Sequence, residues 1–143
     1  MLYNINPKAW GPSFWQTMHY ISVAYPDNPT KEDKGYIKIF YDNIKNILPC
    51  EKCRFHFVDE LKKYPLTDDV LSSRYNLINW VKDLHNYANQ WGKKKLWTYE
   101  DVINKYFNQT EEVSYNIEIV TIVLLILIIV IIVVYMKYFR EDQ

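Results

Sequence analysis

The two cysteines of this 143-residue chain, Cys50 and Cys53, lie three positions apart and follow Pro49. Because the sequence has no other cysteine, each can pair only with the other or with a thiol of another molecule. A Cys-x-x-Cys pair can cycle between dithiol and disulfide, and its thiolate is the attacking group in thiol–disulfide exchange. The spacing therefore predicts a redox-active pair.

Three other interpretations of the pair remain open on spacing alone. A structural zinc site needs two more ligands, and the three histidines lack the His-x3–5-His spacing typical of such sites: His19, His56 and His85. The cysteines could also be unreactive thiols of a reducing compartment. A thioredoxin-like domain needs β-strands around the motif, and no segment of any length has strand periodicity. We expect no metal site.

Helices separated by clear breaks are predicted for roughly residues 1–110. The first begins with Pro12 at its first helical position, and the second follows Thr30 as its N-cap. Pro49 ends the second helix and lies in the first turn of the third, and Thr98 caps a short fifth helix. The second and fourth helices each carry an apolar face, formed by Tyr36, Ile37, Phe40, Tyr41, Ile44 and Ile47 and by Leu77, Val81, Leu84 and Ala88. The soluble part is therefore predicted to be an all-α bundle.

This arrangement places Cys50 and Cys53 in the first turn of the third helix. Unpaired backbone N–H groups and the positive end of the helix dipole stabilise a thiolate there and lower its pKa. Lys52 and Arg54 add positive charge beside the pair. The predicted helix start therefore favours the redox interpretation.

A long apolar segment near the C-terminus predicts a transmembrane helix. Eighteen residues from Ile119 to Met136 carry no charge. As a helix they would span about 27 Å, close to the roughly 30 Å hydrocarbon core of a bilayer. The expected organisation is a soluble domain at 1–110, a linker at 111–117, the transmembrane helix at 118–138 and a short tail at 139–143.

Two observations on membrane orientation conflict. Lys137 and Arg140 follow the span and three glutamates precede it, which would keep the tail in the cytosol under the positive-inside rule. A single span with seven residues after it resembles a tail anchor, whose N-terminal domain stays on the cytosolic side. We expect the tail-anchor orientation, in a host or virion membrane.

The balance of charges excludes one class of function. Lysine plus arginine and aspartate plus glutamate number 17 each, so the chain has no net field that would attract a polyanion. We therefore expect no nucleic-acid partner.

Several motifs together resemble the Erv/ALR family of FAD-linked sulfhydryl oxidases, including the small members carried by large DNA viruses. They are Trp15-x3-His19, Tyr25-Pro26, Cys50-x2-Cys53 and His85-Asn86-x2-Asn89, in family order and at family-like spacing. The resemblance covers nearly all of residues 10–107. It implies a four-helix bundle with a short fifth helix that binds FAD, usually as a homodimer.

The resemblance also implies roles for individual residues. Cys53 is expected to be the thiol next to the flavin, and Cys50 the thiol that exchanges with an outside dithiol. The expected FAD contacts are Trp15, His19, Tyr25, Trp80, His85, Asn86 and Asn89, with Lys93 or Lys94 near the pyrophosphate. These residue types suit a flavin, which needs flat aromatic surface and a few hydrogen-bond donors. The implied reaction oxidises two thiols to a disulfide and reduces dioxygen to hydrogen peroxide.

The chain departs from many family members at two points. It has no second, shuttle pair of cysteines, so we expect a separate thiol relay protein or a dithiol protein substrate that reaches Cys50 directly. Pro12 stands where some cellular relatives have a basic residue. Two alternative functions are a membrane-tethered helical adaptor and a structural zinc module, neither with redox activity.

Overall fold

The computed structural model describes the backbone of residues 3–141 and their side chains except in 109–115 and 139–141. Within these residues the chain forms α-helices and one short 3₁₀ turn, Val70–Ser72, without a strand. The helices are α1 (Pro7–Val23), α2 (Lys31–Ile47), α3 (Glu51–Lys63), α4 (Arg74–Trp91), α5 (Tyr99–Tyr106) and α6 (Asn108–Glu141). The all-α prediction is confirmed.

The chain divides into two compact units, Met1–Phe107 and Asn108–Gln143. The first unit contains α1 to α5, and the second contains α6. The segment 111–117, expected to be a linker, lies within α6. The expected domain boundaries stay predictions.

Threonine caps begin α2 and α5 as the sequence predicts. The Thr30 hydroxyl accepts a hydrogen bond from the Asp33 backbone N–H at 3.2 Å, and the Asp33 carboxylate accepts one from the Thr30 N–H at 2.8 Å. Thr98 and Asp101 repeat this reciprocal arrangement at 3.1 and 2.9 Å. Each capping box satisfies two backbone donors that a helix start otherwise leaves unpaired.

Helix α1 begins five residues earlier than predicted. Pro7 occupies the start of the helix, and the Asn6 side chain caps it by accepting from the Lys8 N–H at 3.0 Å. Pro12 therefore lies inside the helix, where its missing N–H removes one intrahelical hydrogen bond. The prediction was wrong because two prolines qualify as a helix start and only Pro7 has a capping residue directly before it.

The core of the first unit is built from buried faces of α1, α2, α3 and α4. Met18, Tyr41, Ile44, Leu77 and Leu84 are all completely buried. The apolar face predicted for α2 is only partly correct, because Tyr36 and Ile47 are 64% and 58% exposed. Both side chains belong to the outward side of α2, so the apolar surface of this helix is wider than its buried face.

Helix α6 differs from the other helices in having apolar residues on all sides. Its segment Asn116–Tyr138 has a mean hydropathy of 3.6 and is not buried in the protein. By length and composition this one helix of the described residues could span a membrane. The expected span of 118–138 falls within it.

Candidate active site

A cavity of about 750 Å³ lies among α1, α3, α4, α5 and the loop between α4 and α5. Its lining is mostly aromatic and apolar, with imidazole, amide and lysine groups among the flat surfaces. This size and composition are typical of a site for a small molecule or cofactor. One residue of the Cys-x-x-Cys motif, Cys53, is part of the lining.

Cys50 and Cys53 form a disulfide at the start of α3. Cys50 is the N-cap of this helix rather than a residue of its first turn, and its sulfur accepts a hydrogen bond from the Cys53 backbone N–H at 3.1 Å. Cys53 lines the cavity, whereas Cys50 is not among the lining residues. One residue of the disulfide thus lines the cavity and the other does not.

An N-terminal segment lies against the Cys50 loop. The Ile5 backbone N–H donates to the Pro49 carbonyl at 2.7 Å, and the Glu51 N–H donates to the Asn4 side chain at 2.8 Å. These hydrogen bonds hold the backbone on both sides of Cys50. Cys50 is therefore positioned by two parts of the chain.

A pair of histidines, of which His85 lines the cavity and His19 lies behind it, is found at the α4 side of the cavity. His85 stacks on Trp15 with ring centroids 4.3 Å apart and nearly parallel planes, 5° apart. The Nε2 atom of His19 lies 2.9 Å from Nδ1 of His85. Burial, the neighbouring His85 and Lys105 lower the pKa of His19 to about 3. Burial, Lys94 and Lys105 lower that of His85 to about 4, so both rings are neutral at pH 7.

The hydrogen bond between the histidines allows their protons to be assigned. The Nδ1 atom of His19 is buried without a partner in the described part of the chain. Burying an N–H group without an acceptor costs more free energy than burying a nitrogen lone pair without a donor. We therefore assign the proton of His19 to Nε2, which donates a hydrogen bond to Nδ1 of His85. His85 then carries its own proton on Nε2 and can donate it to a molecule in the cavity.

Trp97 of the loop before α5 and Tyr106 of α5 pack against the histidine pair. His19 stacks on Tyr106 at 4.7 Å and on Trp97 at 5.8 Å, and Trp97 stacks on Tyr106 at 5.8 Å. The Lys105 Nζ atom lies 4.8 Å from the centre of the Trp97 ring. The α4 side of the cavity is therefore a packed aromatic wall with a cation at its edge.

Two asparagines of α4 hold the loop that follows this helix. Asn86 donates to the Trp97 carbonyl at 2.8 Å and accepts from the Trp97 N–H at 2.7 Å, so its amide pairs with both backbone groups of one residue. Asn89 donates to the Lys95 carbonyl at 3.3 Å. These contacts keep Trp97 in the wall and Lys94 and Lys95 in the lining.

The α3 side of the cavity has a different character. Cys53, His56, Phe57 and Glu60 all line it, and Glu60 is 4% exposed. Burial raises the pKa of the Glu60 carboxyl to about 8, so this group is neutral at pH 7. The α3 side thus presents a disulfide sulfur and a protonated carboxyl.

The residues predicted as cofactor contacts fall into two groups. Those that line the cavity are Trp15, His85, Asn89 and Lys94. Those that are not among its lining residues are His19, Tyr25, Trp80, Asn86 and Lys93. His19 and Asn86 touch residues of the wall, as described above. All nine stay predictions as cofactor contacts.

The remaining three residues of the second group lie in the core or at the surface. The buried Tyr25 hydroxyl donates to the Leu71 carbonyl at 3.0 Å. The Trp80 indole N–H donates to the Tyr64 carbonyl at 2.9 Å. Lys93 is exposed and has a positive φ of 50°. In this structure the polar groups of Tyr25 and Trp80 are therefore occupied by backbone acceptors.

Several lining residues were missed by the sequence reasoning. His56 and Glu60 follow Cys53 by three and seven positions, so a helical-face argument from Cys53 would have found them. Trp97, Lys105 and Tyr106 also line the cavity, but they reach it through the packing of α5 on α1 and α4. No sequence spacing indicates that contact.

The described residues contain no group of three or more His, Cys, Asp or Glu side chains that could hold a metal ion. The polar lining consists of imidazole, amide and lysine groups and the Glu60 carboxyl, beside the disulfide. This set suits an aromatic ligand with an anionic part.

Comparisons with known proteins give the same picture. The model of the Erv1 / Alr family matches residues 12–109. A probable FAD-linked sulfhydryl oxidase of Acanthamoeba polyphaga mimivirus is 43% identical over 115 residues, which cover 78% of this chain and 80% of the relative. An FAD-linked sulfhydryl oxidase of African swine fever virus is 32% identical over 97 residues, which cover 68% of this chain and 79% of the relative.

The fold also matches solved structures. The FAD-binding domain of Erv1 from Saccharomyces cerevisiae aligns with a TM-score of 0.67 at 24% identity. The alignment covers 73% of this chain and 97% of that domain. At this identity the likeness concerns the fold.

Proposed function

Because this chain belongs to the Erv1/Alr family, we propose that it is an FAD-linked sulfhydryl oxidase. It oxidises two protein thiols to a disulfide and reduces dioxygen to hydrogen peroxide. The observation that carries the proposal is the Cys50–Cys53 disulfide, which has one sulfur in the lining of an aromatic cavity. The adaptor and zinc-module alternatives are not favoured, because neither accounts for the relatedness to oxidases.

The cavity residues fit FAD by the chemistry of their side chains. Flat rings such as Trp15 and Trp97 can pack against the isoalloxazine or adenine rings, and the His85 Nε2–H can donate to an acceptor of the cofactor. Lys94, Lys95 and Lys105 supply positive charge for the pyrophosphate. When bound, FAD accepts two electrons from the reduced cysteine pair and passes them to dioxygen.

The cysteines act in a fixed order in this proposal. A substrate thiolate attacks the Cys50 sulfur and forms a mixed disulfide, and Cys53 leaves as a thiolate. The second substrate thiol then attacks the mixed disulfide, which releases the oxidised substrate and leaves both cysteines reduced. The N-terminus of α3 stabilises the thiolates through its free N–H groups and its dipole.

The other predicted site residues receive different roles in this proposal. Trp15, His85, Asn89 and Lys94 contact the cofactor. His19 fixes the proton of His85, and Asn86 fixes the loop that carries Trp97 and the lysines. Tyr25, Trp80 and Lys93 are not among the lining residues, so we propose indirect roles for them. Tyr25 and Trp80 stabilise the core behind the site, and Lys93 approaches the pyrophosphate from the surface.

We also propose that the oxidase is a homodimer. Tyr36, Ile39 and Ile47 lie on one outward face of α2, with exposed fractions of 64%, 64% and 58%. An apolar face of this kind is costly to leave in water, and a second copy would cover it. An Ile39→Glu variant that remains dimeric in sedimentation would contradict this interface.

The proposed location is a membrane, with α6 as a single-pass anchor and the oxidase domain on the cytosolic side. The length and hydropathy of Asn116–Tyr138 support the anchor. The side of the membrane is tested by protease protection of the oxidase domain in sealed vesicles. The proposed thiol partner is either a relay protein or the final dithiol substrate.

The visible absorption spectrum of the full chain in detergent tests the main proposal. We expect a yellow protein that bleaches on anaerobic addition of dithiothreitol and recovers its colour when air is admitted. A folded, colourless protein that takes up no added FAD would refute the proposed function.

A further inference from the structure

Glu60 is a buried acidic residue without a charged partner. Its side chain is 4% exposed and lines the cavity. No hydrogen bond or ion pair found among the described residues involves its carboxyl group. Because Glu60 lines the cavity, a ligand bound there could provide a hydrogen-bond partner for its carboxyl.

Glu60 shares its helix face with the redox cysteine. Cys53, Phe57 and Glu60 are spaced i, i+4 and i+7 on α3, and all three line the cavity. Seven residues of α-helix span about 10 Å, which is close to the length of a three-ring flavin system. A planar ligand that contacts the Cys53 sulfur can therefore also lie within reach of the Glu60 carboxyl.

The surroundings of Glu60 keep it protonated. Burial is the cause of the rise of its pKa to about 8, and no nearby cation counteracts it. The titratable and charged groups that line the same cavity are Lys8 on α1, His56 on α3, His85 on α4, Lys94 and Lys95 on the following loop, and Lys105 and Tyr106 on α5. At pH 7 the carboxyl therefore has an O–H group to donate.

We propose that Glu60 contacts the flavin of the holoprotein as a neutral carboxyl, donating a hydrogen bond from its O–H to an acceptor atom of the isoalloxazine ring. The polar edge of that ring has carbonyl oxygens and ring nitrogens that accept hydrogen bonds and a single N–H that donates. A neutral carboxylic acid matches such an edge, whereas a carboxylate would repel it. The inference rests on the proposed function, since it requires bound FAD.

Proton linkage gives this proposal a measurable signature. If only the protonated form binds well, the dissociation constant of FAD rises about tenfold between pH 7 and pH 9. In Glu60→Gln the amide donates at every pH, so the rise disappears. In Glu60→Met no donor is present, and binding at pH 7 weakens roughly fivefold, with a shift of the bound flavin absorption bands. Asp59→Asn, an exposed acid on the same helix, serves as the matched control and keeps the wild-type profile.

The experiment titrates FAD into the full-length apoprotein in detergent from pH 6 to pH 9, for the wild type and the three variants. A second test needs no variant: the enthalpy of FAD binding to the wild type is measured by calorimetry at pH 8 in two buffers of different ionisation enthalpy. The difference between the two enthalpies gives the number of protons taken up, and we expect about half a proton per FAD bound.

The outcomes separate this inference from the proposed function. Identical pH profiles for wild type and Glu60→Gln, or no proton uptake by the wild type, would overturn the role of Glu60 while leaving the oxidase intact. Failure of the wild type to bind FAD at any pH would overturn both.

Discussion

The α3 and α4 sides of the cavity satisfy their polar groups in different ways. On the α4 side, Asn86 pairs with both backbone groups of Trp97, and His19 donates to His85. On the α3 side, Cys53 lines the cavity as part of the disulfide, and Glu60 lines it with no side-chain hydrogen bond among the described residues. The side with the paired asparagine and histidines, here called the binding wall, is held in place by hydrogen bonds. The α3 side, here called the reactive wall, carries the disulfide that can exchange with thiols.

The largest expected effect concerns the reactive wall. Cys53→Ser should lower thiol-driven oxygen consumption at least about a hundredfold, because a serine hydroxyl cannot take part in thiol–disulfide exchange. FAD binding should persist, since the α4 wall is unchanged. Oxygen-electrode rates and flavin absorbance measure the two properties separately.

Cys50→Ser is the matched variant of this test and should also be inactive toward protein dithiols. Full activity of both serine variants would mean that electrons do not pass through this pair. The distinction between the two walls would then fail.

The next effect concerns the pH dependence of the binding wall. The pKa values of His19 and His85 are held at about 3 and 4 in the fold, below their ordinary value of 6.5. Between pH 6.5 and pH 4 these two histidines therefore bind more protons in the unfolded chain than in the folded one, and the stability that they contribute falls as the pH falls. We expect the contribution of the pair to fall by about 2 to 4 kcal/mol between pH 7 and pH 5, while Glu60, whose pKa is raised in the fold, contributes in the opposite direction.

Chemical unfolding across this pH range, for the wild type and His19→Asn, measures this loss. The variant removes one of the two titrating rings, so its stability should depend less steeply on pH. Equal slopes for the two proteins would show that the histidine pair does not carry the acid sensitivity.

A smaller effect concerns the asparagine that fixes the loop. Asn86→Ala removes two hydrogen bonds to Trp97 and should lower the free energy of unfolding by about 1 to 3 kcal/mol. Weaker FAD binding should accompany this, because the loop carries the lining lysines. Thermal unfolding and FAD titration provide the measurements.

Asn79→Ala is the control for this change. Asn79 lies on the same helix and donates only to the Tyr75 carbonyl one turn earlier, at an exposed position. Its loss should change stability by less than about 0.5 kcal/mol. Equal effects at both positions would contradict a special role for the Asn86 amide.

Local signals allowed most of the fold to be predicted from the sequence. Thr30 and Thr98 each precede an acidic residue by three positions, and this capping pattern marks the starts of α2 and α5. Pro49 ends α2 because it restricts the residue before it. The start of α1 was missed, since the capping role of Asn6 was overlooked in favour of Pro12.

The site was less predictable than the fold, because it depends on packing between helices. The spacing of Trp15, His19, His85 and Asn89 shows which residues share a face, but not which of them reaches the cavity. His19 lies behind His85, and Trp97 enters the wall through the position of α5. A helical wheel of α3 places Glu60 on the same face as Cys53, so the spacing alone predicts that the two residues share a lining.

The apolar circumference of α6 has a consequence for the kinetics of the proposed enzyme. A protein held in a bilayer diffuses in two dimensions, so thiol partners in the same membrane meet it at a much higher effective concentration than freely diffusing ones. Low intrinsic affinity for a substrate would then be sufficient for rapid turnover. The range of proteins that receive disulfides would be set by which of them share the membrane, as much as by recognition at Cys50.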